Sequence, residues 1–142
     1  MSTRRTWGIV LFVFAGMAVL ATCKSSSSPD EVTPVKDDPS FAADIQPVFN
    51  NTCTAVSCHG GAAGQAGLVL LSGQAYNNLV NVTSSQEPPK KRVLPGDATN
   101  SYIVIKLEGG QTVGTRMPQT GSLPANALQN IKNWINKGAK DN

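Results

Sequence analysis

The chain has 142 residues and nearly balanced charge, with 12 Lys and Arg against 9 Asp and Glu and a formal net charge of +3 at pH 7. Two of the positive charges, Arg4 and Arg5, lie near the N-terminus, so the remainder is closer still to neutrality. This near-balance argues against nucleic-acid binding, which needs a concentrated basic face. The basic cluster KKR, from Lys90 to Arg92, follows two prolines and is expected to be a solvated loop.

Residues 1–22 have the layout of a secretory signal peptide. Arg4 and Arg5 precede an apolar run from Trp7 to Ala21. A basic start followed by roughly 7–15 apolar residues is typical of such signals, whereas about 20 apolar residues are needed to cross a bilayer. The short run therefore favours an export signal over a membrane span.

The end of the signal, LATC from Leu20 to Cys23, resembles the bacterial lipoprotein cleavage box, in which the cysteine is lipidated and becomes the first mature residue. The alternative is a thiol at the end of an uncleaved anchor. Both interpretations place the protein at a membrane and export the remainder. We therefore expect a lipid-anchored protein of the bacterial cell envelope that faces the periplasm, and we favour the outer membrane.

Residues 23–39 are rich in Ser, Pro and charge and contain few side chains to bury. Such a segment cannot offset the entropy lost on ordering, so it is predicted to be a flexible linker. The folded domain is then expected over residues 40–142, about the size of one compact core.

The domain is predicted to begin with a helix capped by Ser40, whose apolar face is formed by side chains of residues 41–49. Pro47 should kink this helix or end its regular hydrogen bonding. A glycine-rich loop follows over residues 60–67. A short second helix is expected from about Gln74 to Val80.

A third helix is predicted from about Ala98 to Leu107, with Asp97 as its cap and Gly109 as its end. The β-branched residues within 102–105 leave a strand as the alternative.

The last helix is predicted from about Pro124 to Lys137, with Gly138 as the stop signal. The fold class is therefore all-α, a small helical domain with long loops. So small a core has limited apolar area to bury, and a large, flat, apolar cofactor would add the missing surface.

The stretch NNTCTAVSCHGG, residues 50–61, carries Cys53, Cys58 and His59. A cysteine followed directly by histidine is typical of c-type haem attachment, although that motif has two residues between its cysteines and this chain has four. A disulfide between the two cysteines is an alternative in an exported protein. A zinc site is another, but it would need a fourth ligand.

The inventory of reactive side chains supports the haem interpretation. Beyond Cys23 the only cysteines are Cys53 and Cys58, His59 is the only histidine, and Met117 is the only methionine outside the signal. A c-type haem uses two thiols, one histidine and often one methionine on the opposite face of the iron. Met117 lies in a loop, in the sequence RMP, although a lone methionine is more commonly a core residue.

The order of these motifs resembles bacterial class I cytochromes c, especially exported lipoprotein-type members with one haem. The most specific pieces are Cys58-His59-Gly60, Arg116-Met117-Pro118, and the closing Trp134-Ile135 with Gly138-Ala139. The resemblance implies that Cys53 and Cys58 form thioethers to one haem c, that His59 is the proximal iron ligand and Met117 the distal one. It also implies that the first and last helices pack together. The extra residues between the cysteines must loop out, and attachment through Cys58 alone remains a variant.

We therefore expect an exported cytochrome c-like domain that carries single electrons between redox partner proteins, as a monomer and without binding nucleic acid. It is not expected to be an enzyme, since its one histidine, His59, would be occupied by iron. Two alternatives remain open. One is a haem sensor, or an accessory domain of a partner oxidoreductase; the other is a haem-free surface lipoprotein with a Cys53–Cys58 disulfide.

Overall fold

The computed structural model describes residues 33–142. The signal peptide, Cys23 and most of the linker lie outside the described residues, so their assignments stay predictions. The described part is helical, as expected for the all-α class, and its β-structure is confined to isolated bridges between loop residues. It contains a π-helical turn at Phe41–Ile45 and helices α1 (Gln46–Thr52), α2 (Ala75–Leu79), α3 (Tyr102–Glu108) and α4 (Ala125–Asn136).

Within residues 33–142, no helix is both long enough and apolar enough to cross a membrane.

The first helix changes its hydrogen bonding where Pro47 was expected to disturb it. Pro47 has no N–H group to donate to the preceding turn, and the chain before it widens into the π-helical turn. There the N–H of Gln46 donates to the carbonyl of Phe41. Ser40 caps this turn as predicted, because its hydroxyl accepts a backbone N–H.

The core is formed where the π-helical turn packs on α4, as the resemblance implied. The ring of Phe41 lies 5.2 Å from that of Trp134 and 5.3 Å from that of Tyr76, measured between centroids. Ile45 and Ile131 are fully buried beside this aromatic cluster. These contacts join the two ends of the described chain into one core.

The third helix begins later than predicted, at Tyr102 rather than Ala98. Asp97 caps a tight turn of its own instead, because its carboxylate accepts the N–H of Asn100 at 3.0 Å. The end of α3 is as predicted, with Gly109 in the left-handed conformation at φ 87°. The strand alternative for this segment is wrong.

The second and fourth helices agree with the predictions to within one residue at each end. Pro124 is the cap of α4 rather than a residue of its first turn.

Residues 34–36, which were assigned to the flexible linker, lie along α4. The side chain of Asn130 donates to the carbonyl of Pro34 at 3.0 Å and accepts the N–H of Lys36 at 2.8 Å. Asn133 donates to the carbonyl of Lys36 at 2.7 Å. The packed part of the chain therefore includes residues before Ser40.

Candidate functional site

One cleft brings together the four site residues predicted for the folded domain. Cys53, Cys58, His59 and Met117 all line a cavity of about 680 Å³. This volume is typical of small-molecule and cofactor sites. The wall also contains apolar side chains from well-separated parts of the chain, namely Phe49, Leu68, Leu70, Ile103, Leu107 and Leu123.

The four residues between the cysteines form an outward turn. Cys53 ends α1, and its carbonyl accepts the N–H of His59 at 3.1 Å, which closes the turn at its base. Within the turn, the carbonyl of Ala55 accepts the N–H of Cys58 at 2.8 Å. Val56, at its tip, is 84% exposed. The extra residues therefore point away from the fold while the backbone of Cys53 stays beside that of His59.

Gly60 fits this turn because it has no side chain. A Cβ atom at Gly60 would lie 2.0 Å from the carbonyl oxygen of Thr54, well inside van der Waals contact. The glycine directly after His59 is thus required by the close approach of two backbone segments.

The ring of His59 is oriented by a backbone carbonyl. Its Nδ1 lies 3.0 Å from the carbonyl oxygen of Leu68. Because a carbonyl can only accept, Nδ1 is the donor, and in the neutral ring Nε2 keeps a free lone pair. A metal-binding histidine has the same arrangement, with one ring nitrogen held by a hydrogen bond and the other available.

Met117 is held beside the cleft by the C-terminal end of α3. Its backbone N–H donates to the carbonyl of Lys106 at 2.9 Å. The neighbouring Arg116 donates from Nε to the carbonyl of Leu107, also at 2.9 Å. The last carbonyls of a helix have no hydrogen-bond donor within the helix. The loop that carries Arg116 and Met117 supplies donors to two of them, and these bonds hold the loop in place.

The two thiols differ in environment. Both are free in this structure and are not joined to each other. Cys53 is half-buried, and this burial raises the pKa of its thiol, whereas Cys58 is exposed.

The zinc interpretation finds no support in the geometry. Among residues 33–142, no three His, Cys, Asp or Glu side chains come together as a metal site would require. The side chains of Cys53, Cys58 and His59 are therefore not grouped as a zinc centre requires.

Sequence reasoning missed two cations in the wall of the cleft, Arg92 and Lys106. Arg92 was expected in a solvated loop, but it is buried. Lys106 lies on the face of α3 that also carries Tyr102 and Leu107. A lysine on an otherwise apolar helical face could have indicated from the sequence that this cation is buried. No comparable signal marked Arg92.

Comparisons of the chain with protein-family models, with curated proteins and with solved structures found no match.

Proposed function

We propose that this chain is an exported c-type cytochrome that binds one covalent haem and carries single electrons between redox partner proteins. One observation carries the proposal. Two thiols, an imidazole with an available Nε2 and a thioether, supplied by segments far apart in sequence, line one largely apolar cleft.

The residues fit the chemistry of a c-type haem. Cys53 and Cys58 would form the thioethers, and His59 and Met117 would supply a nitrogen and a sulfur ligand to the iron. The haem would supply an iron that alternates between the ferrous and ferric states, taking up or releasing one electron each time.

The protein residues would hold that cofactor and tune it. The carbonyl of Leu68 fixes the orientation of His59, and the apolar wall limits the access of water. An apolar site and methionine ligation both favour the ferrous state and so raise the reduction potential. We propose electron carriage rather than catalysis, because iron would occupy His59.

The N-terminal motifs extend the proposal to location. We propose that residues 1–22 direct export and that Cys23 is lipidated, so that the domain faces the periplasm from a membrane anchor. In this arrangement the domain would act as a monomer and meet its redox partners at the membrane surface.

The test is an absorption spectrum and a haem stain of the full chain, produced in a strain competent for haem attachment. We expect a sharp α band on reduction and a stain that survives a denaturing gel. A weak ferric band at the red end of the spectrum, due to methionine ligation, should vanish in Met117→Ala. It should persist in Leu123→Ala, which shortens another side chain lining the cleft.

The other outcomes separate the alternatives. A colourless protein with Cys53 bonded to Cys58 would contradict the proposal and indicate the disulfide lipoprotein. A haem protein that binds carbon monoxide readily, with no band dependent on Met117, would indicate a sensor instead. A stain that survives in Cys53→Ala but not in Cys58→Ala would support the proposal with a single thioether.

A further inference from the structure

The cleft contains two buried cations and no carboxylate. Arg92 is 9% exposed and Lys106 is 7% exposed, and both line the same cavity as His59. No Asp or Glu is among the side chains lining it. Buried charges are expensive unless they are paired. In the part of the chain that the structure describes, the ion pairs use other cations: Lys36, Lys90, Lys132 and Lys140.

Arg92 is fixed in place but not neutralised. Its Nη1 donates to the carbonyl of Asn78 at 2.9 Å, and its Nη2 donates to the carbonyls of Ala66 and Gly67, both at 3.1 Å. A guanidinium has five N–H groups, so its Nε–H and one Nη1–H remain available. Carbonyls orient the group without cancelling its charge, and burial lowers its pKa.

Lys106 is held more loosely. Its ammonium donates to the carbonyl of Val113 at 3.3 Å and lies 6.0 Å from the centre of the Tyr102 ring. Two of its three N–H groups therefore remain available. Glu87 is near enough to act on this charge, but its carboxylate is engaged by the backbone of Thr112 and by the ammonium of Lys90.

We propose that Arg92 and Lys106 bind the carboxylates of the molecule that fills the cleft. Such a ligand has an apolar body, which the wall accommodates, and acidic groups, which supply the missing negative charge. This inference rests on the proposed function, because haem combines a flat apolar ring with two propionate groups. Charge-assisted hydrogen bonds between these groups and the two cations are about twice as strong as neutral ones.

The experiment uses the holoprotein and the variants Arg92→Gln and Lys106→Met. Lys137→Met is the matched control, since Lys137 is exposed and does not line the cleft. The haem stain, the midpoint potential and the resonance Raman band of the propionate carboxyls are measured for each protein. Without its cation, a carboxylate leaves uncompensated negative charge near the iron, which favours the ferric state.

We expect each cleft variant to shift the ferrous–ferric equilibrium about tenfold toward ferric, a fall of about 59 mV for one electron. The propionate band should move in both variants, and Lys137→Met should match the wild type in both measurements. Arg92→Lys and Lys106→Arg provide a second test if the charge-removing variants do not fold. Because they keep the charge, they should retain the potential, but their altered hydrogen bonds should still move the band.

Wild-type potentials and bands in variants that carry haem would overturn the inference and leave the proposed function standing. A lower potential with an unmoved band would also overturn it, because the cations would then act only through space. A wild-type chain without haem would overturn the proposed function itself, and the inference with it.

Discussion

At the scale of single residues, Gly60 controls whether the turn between the two cysteines can close. The carbonyl of Thr54 lies where the first side-chain atom of any other residue would be. The turn brings Cys53, Cys58 and His59 to one wall of the cleft. The four residues between the cysteines can therefore form this turn only because Gly60, which lies outside them, has no side chain.

Replacing Gly60 with alanine should destabilise the protein, because a Cβ atom 2.0 Å from the Thr54 oxygen forces the backbone apart. We expect a loss of about 2 kcal/mol or more in the free energy of unfolding, as for other overpacked sites, measured by urea denaturation. Gly110→Ala is the control, because the nearest atom to its Cβ would be a methyl carbon of Ile105 at 3.7 Å. Equal stabilities in the two variants would contradict the steric explanation.

The two missed cations show what sequence patterns cannot resolve at this scale. Lys90 and Arg92 stand in one charged run, yet Lys90 is exposed and Arg92 is buried. The difference arises from carbonyls of residues 66, 67 and 78, which approach Arg92 only in the folded chain. Burial set by such long-range contacts leaves no mark in the local pattern.

At the scale of elements, helix ends marked by proline or glycine were predicted correctly from the local sequence. Pro124 and Gly138 identified the two ends of α4, and Gly109 identified the end of α3. The predicted start of α3 was wrong because an aspartate such as Asp97 can cap a turn as well as a helix. In the turn that forms, the hydroxyl of Ser101 accepts the N–H of Leu94 and donates to the carbonyl of Asp97.

Residues 34–36 were also assigned wrongly from local sequence. Their composition is that of a linker, but their hydrogen bonds are those of a packed segment. Asn130, the main partner, is 1% exposed and bonds to both Pro34 and Lys36. The composition of a segment shows how much apolar surface its own side chains can bury. It does not show which polar side chains of a neighbouring helix will bond to its backbone.

Replacing Asn130 with alanine should release this segment, because it leaves the N–H of Lys36 and the carbonyl of Pro34 without their partner. We expect a loss of about 1–3 kcal/mol in the free energy of unfolding and faster hydrogen exchange at the Lys36 amide. Asn126→Ala is the matched control on the same helix, since no side-chain hydrogen bond of Asn126 is seen in the described residues. If exchange at Lys36 is as slow in Asn130→Ala as in the control, the segment is held by other contacts.

At the scale of the whole molecule, the described chain has two parts of different character. One is the core, where the π-helical turn packs on α4 through buried aromatic and aliphatic side chains. The other is the wall of the cleft, which is built largely from loops. The four side chains that sequence patterns proposed as a site do line one cleft, but the volume between them arises from how these loops are held.

On the haem assignment that we propose, changing Cys53 and Cys58 to serine would prevent attachment, and it should loosen the cleft while leaving the core folded. We expect amide exchange to accelerate about tenfold or more in residues 112–117, and to change little in α4, because loops with few buried contacts open locally at low free energy. Hydrogen exchange followed by mass spectrometry compares this variant with the holoprotein. Uniform acceleration across both parts would show instead that the core depends on the cofactor.

The attachment of residues 34–36 to α4 also determines how the domain is presented to other molecules. No residue of α4 lines the cleft, so residues 34–36 are held by a helix that takes no part in the wall of the site. A protein held at a membrane through Cys23, as we propose, could then turn the mouth of the site toward a passing partner without detaching. The tether would restrict where the domain travels but leave the approach to its cofactor open.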